Sequence, residues 1–139
     1  MKPVLREKRK VVLRLDSGEE LISVIAEYAA KRGTHSAVFS AVGATCEIII
    51  SYYNVKKKKY QDKKIKSNLE VVSLSGNITM FKGEIIVHAH GVFSNSKFHT
   101  KGGHVKQLIV SPTCEVYIEE FKGRIDRKYS DHAGLNLME

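Results

Sequence analysis

From residue 35 onward the apolar residues recur with a period near two almost to the C-terminus, a spacing that sends alternate side chains to opposite faces of an extended chain. An α-helix cannot bury such a pattern on one side, so this part of the chain is expected to be mostly strands. They fall near residues 35–42, 46–54, 69–81, 84–94, 104–111 and 114–121, with a further segment at 125–130. In 69–81, Val72, Leu74, Ile78 and Met80 share one face while Ser73, Ser75, Asn77 and Thr79 share the other, which predicts one dry side. Lys82 and Gly83 make the tight turn that follows. In 84–94 both faces carry apolar residues, Ile85, Val87, Ala89 and Phe93 on one and Ile86, His88, His90 and Val92 on the other, so both are expected to be covered.

The chain before residue 35 reads differently. KVVLRL at 10–15 is a short strand, Ser17 and Glu20 have the spacing of a capping box, and a helix is expected from there to about Arg32. Leu21, Ile22, Val24, Ile25, Tyr28 and Ala29 form its apolar stripe, Lys31 and Arg32 suit its negative end, and Gly33 suits a left-handed stop. This helix should cover one face of the sheet. At 139 residues, 42% hydrophobic, the chain supports one core. The expected organisation is a basic N-terminal segment (1–9), a single domain (10–130) and a weakly patterned tail (131–139) expected to fray. No apolar run reaches the ~18 residues of a membrane span and no hydrophobic leader follows the basic start, so a cytoplasmic protein with no membrane contact is expected. Cys46 and Cys114 form no CxxC pair and read as buried thiols.

The net charge of +8 is concentrated in two places. Residues 1–10 hold Lys2, Arg6, Lys8, Arg9 and Lys10 against Glu7 alone; residues 56–66 hold Lys56, Lys57, Lys58, Lys59, Lys63, Lys64 and Lys66 against Asp62 alone. The second stretch reads as a lysine-rich loop on a mildly acidic body. It suits phosphate contact by counterion release with weak sequence specificity, DNA being the natural partner, or else it is a solvated loop that keeps the protein soluble.

The sharpest chemistry lies in VHAHGVF and, after it, KGGH. His88 and His90 project from one face of a strand about 6.6 Å apart along the chain. Gly102 and Gly103 let His104 approach them closely. Three imidazoles make a site for zinc or another divalent transition metal with one coordination position open; the competing reading is three hydrogen-bonded strand histidines. His99 lies between them as either a fourth ligand or a solvated loop residue, and His35 and His132 have no partner pattern. Glu70 is the candidate base beside a metal-bound water, or a strand-end acid facing solvent or a lysine. No nucleophile elbow, P-loop or GxGxxG occurs.

Taken in order, LDSGEEL, AVGATCEIIISYYN, LEVVSLSGNIT, IIVHAHGVFS, KGGHV and SPTCEVYIEE resemble the plants and prokaryotes conserved (PPC) domain over roughly residues 10–122. The resemblance implies an α+β fold with a largely antiparallel sheet, a homotrimer, and a metal held by His88, His90 and His104. Plant relatives bind AT-rich DNA through an AT-hook that precedes this domain, and use the domain itself for self-association and partner proteins. Lys122, Gly123 and Arg124 mimic half of such a hook, but Ile125 stands where its proline would be, so no AT-hook is present. Two functions are expected from this: a homotrimeric, DNA-associated regulatory protein, or a metal-dependent enzyme or small-molecule binder using the open histidine site.

Overall fold

The computed structural model describes residues 1–139. In chain order the elements are β1 (Lys2–Glu7), β2 (Lys10–Asp16), α1 (Leu21–Arg32), β3 (Ala37–Asn54), β4 (Lys59–Phe81), β5 (Glu84–Ser94), β6 (Thr100–Glu120), β7 (Arg127–Ser130) and β8 (Leu135–Met138). The first six strands form one antiparallel sheet in the order β1-β2-β6-β3-β4-β5, and β5 also pairs with the start of β6, so the sheet closes on itself at that end. Val11, Leu13 and Leu15 of β2, Phe39 of β3, Leu74 and Ile78 of β4 and Val116 of β6 are buried, with the α1 stripe of Leu21, Ile25, Tyr28 and Ala29 in the same core.

Where separate strands are expected at 35–42 and 46–54, and again at 104–111 and 114–121, the structure has single long ones. Bulges explain this. The β3 register shifts between Ala41 and Gly43 and again between Thr45 and Glu47, so the strand turns a corner without ending. Buried Thr45 supports that corner by donating its hydroxyl to the Ile109 carbonyl at 2.6 Å. A further bulge at Val72 reverses the alternation of β4: Val71 is buried and Val72 is 53% exposed, contrary to the expected dry face, whereas Leu74, Ile78 and Met80 are buried as expected.

The lysine-rich stretch is not a loop. Only Val55–Lys58 turn, and Lys59, Lys63, Lys64 and Lys66 extend β4 against β3, because Ile48 and Ile65 pair across the two strands and pull the segment into the sheet. The termini are also more ordered than their composition suggests: residues 2–7 pair with β2, and the tail pairs as β8 with β7. The segment leading into β7 is tied to β4 where the Met80 amide donates to the Ile125 carbonyl at 2.8 Å. No helix is long and apolar enough to cross a membrane. Both cysteines are free, and burial pushes the Cys114 thiol up to about 11.

Helix α1 starts later than the capping box predicts. Glu20 is the N-cap, its carboxylate accepting from the amides of Ile22 and Ser23 at 3.1 and 2.8 Å and also from the Leu108 amide of β6 at 3.1 Å. Residues 18 and 19 are instead held to Val110 by two backbone hydrogen bonds, which leaves Ser17 outside the helix. The C-terminus matches expectation, with Gly33 in the left-handed conformation.

At that end Glu120 Oε1 accepts from Tyr28, Arg32 and Thr34 at 2.9, 3.0 and 3.1 Å, joining helix to sheet. Burial alone would raise the Glu120 carboxyl, but these bonds outweigh it and hold the pKa below the usual carboxylate value. A depressed folded-state pKa stabilises above the unfolded value and loses that stabilisation as pH falls through the folded one. Glu120→Gln should therefore cost about 1.5–3 kcal/mol at pH 7, the range for hydrogen bonds to a charged group. The gap to wild type should narrow in melts taken progressively below the ordinary carboxylate pKa.

Candidate metal centre

The closure of the sheet brings the three histidines together. His88 and His90 alternate onto the same side of β5, and the β5–β6 register sets His90 directly opposite His104, which in turn faces Ser51 of β3. A Cβ at Gly102 would lie 2.7 Å from the Gly91 carbonyl oxygen, and one at Gly103 2.9 Å from that of Ser51, so side chains there would push the strands apart. The ring centroids of His88, His90 and His104 are 5.0–5.4 Å from one another.

One nitrogen from each ring lies within 4.8 Å of the other two. Two nitrogens about 2.1 Å from a shared tetrahedral ion stand roughly 3.4 Å apart, so small side-chain rotations would close the trio around one ion. The electrostatics suit this. His104 Nδ1 is the one buried side-chain polar atom without a hydrogen-bond partner. Burial, aided by His88 and His90, lowers the His104 pKa to about 4, and burial followed by Arg127 and His90 lowers that of His88. His104 is therefore neutral at pH 7 with a lone pair to donate. An imidazole-only donor set suits zinc, copper, nickel or iron rather than calcium or magnesium.

Beside the trio lies a pocket of about 580 Å³. Tyr60 packs 5.1 Å from the His104 ring and Tyr53 4.9 Å from Tyr60; Ile86, Leu135 and Leu137 supply apolar wall, and Arg127 lines it as well. The nearby Asp62 is engaged elsewhere, accepting from Ser51 and Lys106 at 2.8 Å each. β5 is covered on its Ala89 and Phe93 side; on the opposite face Ile86 and His88 are half-buried beside Leu135 and Leu137 whereas His90 and Val92 are exposed, so the expected cover reaches only part of the histidine face.

Glu70 does not stand beside the histidines. It is exposed, pairs across the sheet with Ala44 and Ser94, and lines a separate depression with Asn95, Phe98 and Pro112. The bulge at Val72 removes it from the face it was expected to share with Leu74. His99 lies in the exposed β5–β6 loop, donating its amide to Asn95 at 3.0 Å, and is outside the cluster. His35 lines a cleft with Arg32 and Lys122, and His132 sits in the β7–β8 turn.

Of the seven lysines, Lys64 and Lys66 both pair with Glu47, at 2.6 and 3.5 Å, and Lys64 holds the Glu47 carboxyl below its usual range. Lys56, Lys57, Lys58, Lys59 and Lys63 have no carboxylate partner. Tyr53, Tyr60 and Arg127 also line the site, although no sequence signal marks them for it. None has a spacing relation to the HxH motif, since the turn of β3 into β4 and the β7–β8 pair bring them in.

The Plants and Prokaryotes Conserved (PCC) domain model matches residues 4–122. Among solved structures, a metal-containing protein from Archaeoglobus fulgidus is 33% identical, with a TM-score of 0.89 over 94% of this chain and 93% of that one. A plant- and prokaryote-conserved (PPC) protein from Pyrococcus horikoshii is 32% identical, with a TM-score of 0.89 over 95% and 92%. A candidate DNA-binding protein from Bacteroides thetaiotaomicron is 24% identical, with a TM-score of 0.93 over 97% and 94%, and shows the shared fold. No curated protein matches the chain. With most of its length matched by the domain and two structures about one-third identical from end to end, the chain belongs to the Plants and Prokaryotes Conserved domain family.

Proposed function

We propose that this protein binds zinc or another divalent transition metal through His88, His90 and His104, assembles as a homotrimer, and acts as a DNA-associated regulatory protein. The observation that carries the reading is the convergence of three imidazoles, one with an unpartnered buried nitrogen, on a point with an open side. The likeness to a protein described as metal-containing supports the ion. When bound, the ion would supply a Lewis-acid centre with an exchangeable position.

Self-association is supported by apolar side chains on the outer side of the sheet: Val38, Val42 and Tyr117 are 43–46% exposed, with Leu5 beside Val38 and Tyr117 in one shallow groove. Exposed apolar clusters of this kind mark interaction surfaces. The measurement is mass in solution by light scattering, where three times 15.6 kDa is expected and a concentration-independent monomer overturns the assembly.

For DNA, the support is the five lysines without carboxylate partners around the β3–β4 turn, together with the likeness to candidate DNA-binding proteins. A homotrimer would present three such patches on one body, which raises avidity without a new contact. Binding should fall steeply with salt. Substituting Lys56, Lys57, Lys58 and Lys59 by glutamine should lower affinity at low salt and flatten the slope of log K against log[salt] by up to about 3–4, near 0.9 per lost phosphate contact. An unchanged slope would remove this patch from the interface.

A second reading, a metal-dependent enzyme or small-molecule binder, is favoured by the pocket of about 580 Å³ that adjoins the histidines. Metal content by mass spectrometry tests the premise shared by both readings.

A further inference from the structure

Arg127 stands in the histidine pocket without a counterion. Its side chain donates from Nε to Thr79 Oγ1 at 2.7 Å, from Nη1 to the Asn136 carbonyl at 2.8 Å and from Nη2 to Asn77 Oδ1 at 2.9 Å. All three partners are neutral, and Arg127 takes part in no salt bridge. A guanidinium has five N–H groups, so one remains on each terminal nitrogen, the number that the two oxygens of a carboxylate accept.

Tying β7 and β8 to β4 does not by itself require a charge. A neutral side chain could bond Thr79 and Asn77, whereas a partly buried cation costs free energy until an anion meets it. The remaining pocket wall narrows the class of anion. Ile86, Leu135 and Leu137 with the rings of Tyr53 and Tyr60 offer apolar contact, and inorganic phosphate or sulfate has nothing to bury there.

We propose that the pocket binds a small organic carboxylate, with Arg127 as the residue that grips the carboxylate and the tyrosine–leucine wall as the surface that takes a short apolar body. The proposal rests on the second reading above, in which the histidine pocket receives a small molecule, but the arginine grip does not itself need the ion. It assigns polarity to the pocket: the acid group lies at the β7 side and the rest of the ligand extends along the wall toward the histidines.

The test is a two-dimensional NMR titration of the metal-free and zinc-treated protein with acetate, butyrate, hexanoate, 1-butanol and inorganic phosphate. Butyrate should bind in both forms and more tightly than 1-butanol, with affinity rising about three- to fourfold per added methylene. Arg127→Gln should weaken butyrate about 10- to 100-fold, as for loss of charged hydrogen bonds, and abolish the preference over 1-butanol. Arg127→Lys keeps the charge without the fork and should lose a smaller part. Thermal melts check folding; if Arg127→Gln does not fold, Arg127→Lys decides.

Equal binding of butyrate and butanol to the wild type, or full retention in either folded variant, overturns the proposal. Phosphate binding as tightly as hexanoate overturns the choice of an organic carboxylate. If zinc leaves the histidine signals unmoved, the metal reading fails on its own, while the metal-free titrations still decide the role of Arg127.

Discussion

His104→Ala is expected to abolish stoichiometric zinc binding, with the dissociation constant rising roughly a thousandfold or more. Zinc sites gain on the order of 10 kcal/mol from their full ligand set, so losing one of three imidazoles removes several. His104 is central because it faces His90 directly across the β5–β6 ladder and carries the unpartnered buried nitrogen. The apo fold should survive with a modest loss of stability, since the variant breaks no hydrogen bond at Nδ1 and forfeits only the packing of a half-buried ring against Tyr60 and the other two histidines. Metal content by mass spectrometry and melting with and without zinc check both points. Zinc at about 100 times its dissociation constant should stabilise wild type by about 2.7 kcal/mol and leave the variant unmoved. His99→Ala should behave as wild type. Stoichiometric metal in His104→Ala or His88→Ala would dismantle the proposed ligand set.

Gly43→Ala is expected to prevent stable folding. Gly43 sits at the corner of β3 with φ +147°, and a Cβ there would stand 2.4 Å from the Thr113 carbonyl oxygen and 2.6 Å from the Cys114 Cα. Both obstacles are backbone, locked by the adjoining Ala41–Val116 and Val42–Glu115 pairs, so neither can retreat. Strain of that kind belongs to the exceptional class above about 4 kcal/mol, a large share of the roughly 5–15 kcal/mol that holds a domain together. Gly123→Ala is the control, because nothing lies within 4 Å of its would-be Cβ and its φ lies outside the left-handed region. Soluble yield and denaturant midpoints of the two variants make the comparison. A Gly43→Ala protein as stable as wild type would show that the β3 corner is soft.

Much of this architecture is legible in the sequence. Alternation placed β5 at 84–94, where the structure has Glu84–Ser94, and the amphipathic stripe with Gly33 placed helix α1 to within its first turn. Boundaries failed where a bulge bends a strand instead of ending it. Gly43 and Thr45 sit at β3 bulges, and the bulge at Val72 inverted the expected dry face and removed Glu70 from the site. The lysines of β4 read as loop because composition reports solvation, whereas pairing with Ile48 and its neighbours determined their conformation. Arg127 and the tyrosines of the pocket left no motif, being far from HAH along the chain.

The sequence by itself determined that these residues make strands, that one helix covers them, and that His88 and His90 share a face, because side-chain period and backbone sterics are local properties. Only the tertiary structure decided that β5 meets β6 in the register that sets His104 opposite His90, that Glu70 is excluded, and that Arg127 enters the pocket without a counterion. Register and sheet closure depend on bulges and on pairings between distant segments, and a linear pattern does not encode which distant partner a residue meets.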